Sequence, residues 1–197
     1  MKKTDDFAAN VYIALLHYPI YNKNGDIITT TVKNLNTHDI SRAGKTYGIQ
    51  KYYVVNHLKS QQELVKRMKD YWTGGYGADY NKNRHSAFSI LEIADSLSDV
   101  VNEIKETNNE EPALIATDAG NFSGSTSYPE MRNIINNSKK PFLLIFGTGW
   151  GLTDDLIKSC DYILSPVYGR GKFNHLSVRS AASIILDRLL ATSWWNE

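Results

Sequence analysis

A segment in the last third of the chain combines residue types that can hold a ligand. Residues 142–152 have the sequence Phe-Leu-Leu-Ile-Phe-Gly-Thr-Gly-Trp-Gly-Leu, in which an apolar strand opens into three glycines within five positions. Glycines allow a ligand to approach the backbone closely and allow several amide groups to converge on it. The pattern therefore predicts a binding loop that acts through its main chain, followed by a helix that starts near Thr153.

A second loop of this kind lies further along the chain. Residues 164–182 begin with the end of an apolar strand, continue through Pro166, Gly169 and Gly171, and lead through a polar turn into the last helix. Ligands of open parallel sheets bind outside the carboxyl ends of the strands. Two consecutive strand ends with such loops therefore predict one pocket at the carboxyl edge of the sheet.

The glycine loop has two other interpretations, a dinucleotide site and a purely structural turn. A dinucleotide site needs G-x-G-x-x-G after the first strand and an acidic residue about 20 positions later. Here the pattern is G-x-G-x-G, it follows a late strand, and Asp161 lies only 14 residues beyond Gly147. These differences disfavour a nicotinamide-dependent oxidoreductase, while a purely structural turn stays open.

The elements that must position these loops are those of an α/β protein with a mostly parallel sheet flanked by helices. Short apolar runs alternate with longer periodic segments, which is typical of that class. We expect a single domain over residues 1–197. The predicted strands lie near Val11–Leu16, Tyr52–Val55, residues 89–93, Ala113–Thr117, residues 142–146 and Tyr162–Leu164.

A helix is predicted over residues 37–47, with Asn36 as its N-cap, Asp39 at the capping-box position and Gly48 at its end. Arg42 lies about 150° from the centre of the apolar stripe at 100° per residue. It is therefore predicted to face water, a cleft or another molecule. The stripe consists of Ile40, Ala43, Gly44 and Tyr47.

Three further segments carry predictions. Residues 177–190 are expected to form the last helix. Residues 72–85 contain so many Gly and Asn residues that a long loop is predicted. Trp194 and Trp195 are predicted to pack either on the chain's own sheet or in a subunit contact.

Composition and charge limit the functional class. The chain has 197 residues, of which 42% are hydrophobic, so it can bury a core, and it contains no apolar run typical of a membrane span. The lone Cys160 and the acidic N-terminal segment predict a cytoplasmic protein. The net charge is only +1, but residues 33–85 carry 10 basic and 4 acidic residues and residues 86–130 carry 1 basic and 9 acidic. This segregation suggests an anionic partner on one surface, or solvated helix faces that happen to sort this way.

Three segments in order resemble the motifs of the SPOUT superfamily of RNA methyltransferases. Residues 36–49 are similar to the first motif, in which an Asn, an Arg six residues later and an aromatic-Gly-aliphatic ending recur. Residues 147–152 and 166–182 resemble the second and third motifs. The similarity is strongest to a bacterial group that also occurs fused to tRNA (guanine-N1)-methyltransferases, through residues 17–25, 143–152 and 173–181.

The resemblance implies an α/β fold with a C-terminal trefoil knot, S-adenosylmethionine as methyl donor, RNA (tRNA or rRNA) as substrate and a homodimer. No metal site is expected. The catalytic residues it suggests are Asn36, Arg42 and Asp118. The cofactor-binding residues expected from position are Thr117, Phe146, Gly147, Thr148, Gly149, Trp150, Gly151, Ser165, Pro166, Val167, Gly169, Asn174, His175, Leu176 and Ser177.

The chain departs from the ribose-methylating branch of that superfamily at three positions. Gly149 stands where that branch usually has Glu, and Ser177 and Arg179 replace an expected Asn and Ser. These changes argue against a ribose hydroxyl as target and leave the cofactor site intact.

The chemistry of methyl transfer limits what the side chains must do. Transfer from a sulfonium is an in-line displacement, so alignment and exclusion of water supply much of the effect. The guanidinium of Arg42 is a poor proton acceptor and is expected to clamp a phosphate or polarise the target. Asp118 and His175 are better candidates for a base, although each also suits a turn or cap. The alternative function is a non-catalytic RNA-binding or accessory protein of the same fold.

Overall fold

The computed structural model describes residues 10–192. Within this range the chain forms, in order, β1 (Val11–Leu16), β2 (Ile20–Tyr21), β3 (Ile27–Ile28), α1 (Asn34–Thr46), β4 (Tyr52–Val55), α2 (Lys59–Gly74), α3 (Tyr76–Tyr80), α4 (Lys82–Phe88), β5 (Leu91–Ala94), α5 (Leu97–Asn108), β6 (Ala113–Thr117), α6 (Tyr128–Asn136), β7 (Phe142–Gly147), α7 (Asp154–Ser159), β8 (Tyr162–Leu164) and α8 (Val178–Leu190).

Six strands form one parallel sheet with the order β5-β4-β1-β7-β6-β8. The two central strands, β1 and β7, pair in register from Val11 opposite Phe142 to Leu16 opposite Gly147. Every residue of β1 is buried, which explains why this strand is a continuous apolar run rather than an alternating one. The prediction of a mostly parallel α/β sheet is confirmed, and because all six strands are parallel, their carboxyl ends share one edge.

Helices cover both faces of the sheet. On one face the core contains buried residues from α1, α2, α4, α6 and α8, including Ile40, Val65, Phe88, Met131 and Leu186. On the other face the core contains residues from α5 and α7, including Val100, Ile104 and Ile157. A sheet buried on both sides holds its strand ends rigidly, so the loops at its carboxyl edge start from fixed positions.

Helix α1 begins earlier than predicted, and the predicted cap is wrong. The N-cap is Lys33, which makes no side-chain capping hydrogen bond, and Asn36 is buried inside the first turn. Asp39 does not cap the helix; its carboxylate lies 3.3 Å from the Nε of Arg179 on α8. Tertiary packing against α8 thus replaces the local capping that the sequence favoured. The rest of the prediction is confirmed, since Arg42 is exposed and Gly48 follows the helix with a φ of +72°.

The long loop predicted over residues 72–85 is wrong, because this segment is mostly helical. It contains the end of α2, all of α3 and the start of α4. Asn81 caps α4 by accepting a hydrogen bond from the backbone N–H of Arg84 at 2.9 Å. The Gly and Asn residues therefore mark the junctions between short helices instead of an irregular loop.

The remaining differences from the predicted elements are small. The strand expected over residues 89–93 forms over Leu91–Ala94, and a two-stranded antiparallel hairpin, β2 with β3, follows a cis Tyr18–Pro19 peptide bond. Helix α8 starts at Val178, one residue after the predicted position. Trp194 and Trp195 lie outside the described residues. Among residues 10–192, no helix is both long and apolar enough to cross a membrane.

Candidate functional site

Each strand of the parallel sheet is followed by a polar residue at the carboxyl edge. These residues come from six different parts of the chain, and the sheet order brings them to one side of the molecule. A parallel α/β sheet binds its ligands at this edge. The six residues are His17, Asn56, Asp95, Asp118, Thr148 and Ser165.

The loops after β6, β7 and β8 contact one another, as expected for neighbouring strands. A Cβ built on Gly151 would lie 2.8 Å from the carboxylate of Asp118, so the β6 and β7 loops touch. The amide of Asn174 donates to the backbone carbonyl of Ala119 at 3.0 Å, which joins the β8 loop to the β6 loop. The structure therefore brings together the three segments that carry the predicted cofactor-binding residues. We call them the carboxyl-edge loops (residues 117–127, 146–153 and 165–177).

The three glycines of the β7 loop each allow a close approach of the chain to itself. A Cβ on Gly147 would lie 2.8 Å from the backbone N of Leu152, and one on Gly149 would lie 3.0 Å from the carbonyl of Tyr21. Gly149 and Gly151 also have φ values of +59° and +105°. The structural role that the sequence left open is thus real: the glycines fold a tight loop onto the β2–β3 hairpin. A Cβ at Gly149 would be in tighter than ordinary contact with the Tyr21 carbonyl, and the positive φ also disfavours a side chain at this position.

A partly buried hydrogen-bond network fixes the start of the same loop. The hydroxyl of Thr148 donates to the carbonyl of Leu16 at 3.0 Å and also contacts the hydroxyl of Thr30. The Nδ1 of His17 lies 2.9 Å from the Thr30 hydroxyl. Since each hydroxyl has one proton, Thr30 must donate to Thr148 and the Nδ1–H of His17 must donate to Thr30.

His17 is therefore a residue of the carboxyl edge that was not among the residues predicted for the site. It is fully buried, and burial lowers the pKa of its imidazole to about 4, so the ring is neutral at pH 7. Its Nε2 is left as a buried acceptor without a hydrogen-bond partner among the described residues. The one available signal in the sequence was a polar residue directly after the fully apolar β1.

Asp118 combines a structural contact with an altered acidity. Its Oδ1 accepts a hydrogen bond from the backbone N–H of Gly120 at 2.6 Å, so it caps the loop after β6. Burial raises the pKa of its carboxyl group, and the nearby Asp154 raises it further. A carboxylate with a raised pKa accepts a proton more readily than an ordinary Asp, which keeps Asp118 a candidate for a base.

The loop after β8 offers unpaired main-chain groups beside an apolar surface. Pro166 is buried and Val167 packs against the core. Between Pro166 and Leu176 the backbone makes no hydrogen bond to another backbone group of residues 10–192. An adenine ring requires apolar surface with main-chain donors and acceptors at its edge, and this loop supplies the apolar residues Pro166 and Val167 beside such main-chain groups. The residues present therefore fit S-adenosylmethionine.

The other predicted cofactor residues have individual roles. Phe146 is buried in the core, and the hydroxyl of Thr117 donates to the carbonyl of Ile145 at 2.9 Å, so both can meet a ligand only through their main chain. Trp150 is 68% exposed. Ser177 caps α8, where its hydroxyl accepts from the backbone N–H of Ser180.

The predicted catalytic arginine lies outside the carboxyl-edge loops of its own chain. Arg42 lines an open groove of about 600 Å³ between α1 and α8, together with Arg179 and Tyr47. The groove includes no residue of the carboxyl-edge loops. Within one copy, the structure therefore does not bring Arg42 and Asp118 together.

One residue of the dinucleotide hypothesis has a clear structural role. The carboxylate of Asp161 accepts a hydrogen bond from the backbone N–H of Leu114 at 2.7 Å, at the amino end of β6. It therefore lies at the opposite edge of the sheet from the glycine loop, and it cannot bind a ribose there.

A fully parallel sheet with three contacting loops at its carboxyl edge defines an α/β protein of the class that binds ligands at that edge. Comparison with known proteins gives the particular family. The model of the family described as SAM-dependent RNA methyltransferase matches residues 10–191, and the chain belongs to this family.

Individual relatives agree with this assignment. An uncharacterized protein of Aquifex aeolicus is 40% identical over 92% of this chain and 89% of its own length. A tRNA (guanine-N(1)-)-methyltransferase of Oleidesulfovibrio alaskensis is 35% identical over 96% of this chain, although the chain spans only 44% of that relative. The SpoU methyltransferase AviRb of Streptomyces viridochromogenes, solved with AdoMet, shares the fold at a TM-score of 0.56 and 17% identity, over 91% of this chain and 56% of that one.

These comparisons confirm the predicted SPOUT class, the S-adenosylmethionine-dependent RNA methyltransferase family and its cofactor. The trefoil knot, the homodimer and the roles of individual residues stay predictions.

Proposed function

We propose that this chain methylates a tRNA or rRNA with S-adenosylmethionine held by the carboxyl-edge loops. The observation that carries the proposal is the meeting of three loops from adjacent strands, joined through Asp118, Gly151 and Asn174. The loop after β8 offers main-chain groups beside the apolar residues Pro166 and Val167, and the cofactor supplies an activated methyl group when it is bound. The chain's own task is to orient the RNA nucleophile and to exclude water.

We assign Asp118 as the group that receives a proton if the target atom must lose one. Its burial and raised pKa support this role, and its contact with Gly120 keeps the carboxylate in place. Asn36, buried in the first turn of α1, is assigned to positioning this helix. Arg42 is assigned to binding a phosphate or polarising the target, because its guanidinium is exposed and permanently charged.

We further propose that the functional unit is a homodimer. Arg42 lies outside the carboxyl-edge loops of its own chain, in the open groove between α1 and α8. A second copy placed on this groove would bring its own loops to Arg42, which completes a site that one copy lacks. Sedimentation should show a dimer. A monomer at working concentrations would contradict this part of the proposal.

Two experiments test the function. Calorimetry should detect binding of S-adenosylmethionine, and a value too weak to measure at about 1 mM would refute the cofactor site. Mass spectrometry of nucleosides from cells with and without the gene should then show one methylated species that disappears on deletion. An Arg42→Ala copy should fail to restore it. Binding of the cofactor without any lost nucleoside would favour the non-catalytic accessory function instead.

A further inference from the structure

Helix α3 presents two aromatic rings to solvent on one face. Tyr76 is 72% exposed and Tyr80 is 73% exposed. The two residues are four positions apart, their ring centroids lie 5.9 Å apart, and the ring planes differ by 21°. A pair of exposed, nearly parallel aromatic rings offers faces on which a planar ligand can stack. We call this pair the tyrosine platform.

The platform is held by close packing rather than carried on a loose segment. Gly77 is buried between the tyrosines and α2, where a Cβ would lie 2.7 Å from the carbonyl of Tyr71 and 2.9 Å from the ring of Trp72. The capping of α4 by Asn81 fixes the other end of α3. Ordered rings lose little conformational freedom when a ligand stacks on them.

Positive charge lies beside the platform. Lys82 is exposed, and the guanidinium of Arg84 lies 4.5 Å above the ring of Trp72. Among the ion pairs of the described residues, neither cation takes part, whereas Lys59 and Lys69 on α2 are paired with carboxylates. The one carboxylate on α3 is Asp79. Two cations without carboxylate partners next to stacked rings suit a ligand with phosphates and planar bases.

The platform lies on the same face of the sheet as Arg42. Helix α1 packs against α4, and the ring of His38 on α1 contacts Trp72 with centroids 5.7 Å apart. Burial lowers the pKa of the His38 imidazole, the charges of Arg84 and Arg42 lower it further, and the carboxylate of Asp39 raises it, so both arginines lie near this ring. A single ligand strand can therefore contact α1 and α4 together.

We propose that the tyrosine platform, with Lys82 and Arg84, stacks unpaired bases of the RNA substrate. This inference rests on the proposed function for the identity of the ligand and adds the surface that holds it. Bases in single-stranded loops stack on aromatic side chains without regard to sequence, while nearby cations bind the phosphates. A second copy of the chain is a poor occupant, since a two-fold contact here would bring the cations of both copies together.

Fluorescence anisotropy with a labelled unstructured RNA of about 12 nucleotides tests the platform. Replacing both tyrosines by leucine keeps an apolar helix former but removes the ring, and should weaken binding about tenfold or more. Replacing both by phenylalanine keeps the ring and should leave binding within about twofold. Equal binding by the leucine variant would overturn the proposal, as would an equal loss in the phenylalanine variant.

Two controls separate this inference from the proposed function. Calorimetry with S-adenosylmethionine should give the same affinity for the leucine variant and the unaltered chain. If neither binds the cofactor while the RNA results hold, the methyltransferase proposal fails and the platform stands. If the leucine variant changes the sedimentation of the protein, the surface belongs to a second copy and the inference is wrong.

Photocrosslinking needs no substitution and guards against a variant that misfolds. An RNA containing 4-thiouridine should label a peptide that includes Tyr76, Tyr80 or Lys82 in the unaltered protein. Labelling confined to other parts of the chain would overturn the proposal.

Discussion

At the carboxyl edge, loops fold through glycines and offer main-chain groups, whereas on α3 and α4 exposed side chains form the surface. Gly149 and Gly151 can contact a ligand only through their main chain, whereas Tyr76 and Tyr80 would contact it through their exposed rings. The first arrangement suits a small cofactor bound by shape, and the second suits a long, flexible polyanion. The difference predicts that the two regions respond to different kinds of substitution.

The largest effect is expected at the glycine loop. Gly149→Val should abolish measurable binding of S-adenosylmethionine and lower the free energy of unfolding, because a β-branched residue at a φ of +59° would also meet the carbonyl of Tyr21. Gly25 is a matched control, since it has a φ of +84° and no atom within 4 Å of a built Cβ.

Comparing Gly149→Ala with Gly25→Ala separates the effect of the close contact with the Tyr21 carbonyl from the effect of the positive φ alone. Gly25→Ala should cost about 1–2 kcal/mol from its positive φ alone and should leave cofactor binding unchanged. Gly149→Ala should cost clearly more and weaken binding at least tenfold, as measured by denaturant unfolding and calorimetry. Equal effects of the two substitutions would show that the close approach to Tyr21 is unimportant.

The next effect concerns the pH dependence of stability at the same edge. Burial lowers the pKa of His17 to about 4 from an ordinary 6.5, so the unfolded chain binds the extra proton first as the pH falls. The free energy of unfolding should therefore decrease between pH 6.5 and pH 4, by at most about 3 kcal/mol from this group.

Replacing the imidazole tests that assignment, because carboxylates also titrate in part of this range. His17→Asn should reduce the loss of stability between pH 6.5 and pH 4, as followed by urea unfolding. An unchanged profile for His17→Asn would contradict a neutral buried His17.

A smaller effect is expected from the cations beside the platform. Lys82→Gln and Arg84→Gln should each make the slope of log affinity for single-stranded RNA against log salt shallower by about 0.7. Lys59→Gln is the matched control, because Lys59 is already paired with Asp95 at 2.8 Å. If Lys59→Gln changed this slope more than Lys82→Gln, the RNA phosphates would bind away from the tyrosine platform.

The smallest effect on the free energy of unfolding is expected from the ion pair in the groove between α1 and α8. Asp39 and Arg179 are both substantially exposed and 3.3 Å apart, so water screens their attraction. Asp39→Asn should therefore lower the free energy of unfolding by less than about 1 kcal/mol. A much larger loss would mean that this pair organises the helix packing.

Much of the sheet and of the carboxyl edge could be predicted from local patterns. Apolar runs such as Val11–Leu16 and Ala113–Thr117 gave correct strands because a doubly covered parallel sheet requires continuous apolar sequence. The glycine and proline residues after β7 and β8 correctly marked loops that meet. Local patterns failed where contacts between distant segments set the structure. Asn36, for example, was predicted to cap α1 but is buried inside its first turn.

The sequence by itself determined the six strands of the sheet along the chain, the first and last helices, the glycine loops, and three motifs sufficient for a family resemblance. All of these depend on residues that are close together along the chain. Only the tertiary structure decided that His17, Thr30 and Thr148 form one network, that Arg42 lies apart from Asp118, and that residues 72–85 are helical. The physical reason is that these features depend on contacts between distant segments, which the order of strands in the sheet fixes and which no local pattern encodes.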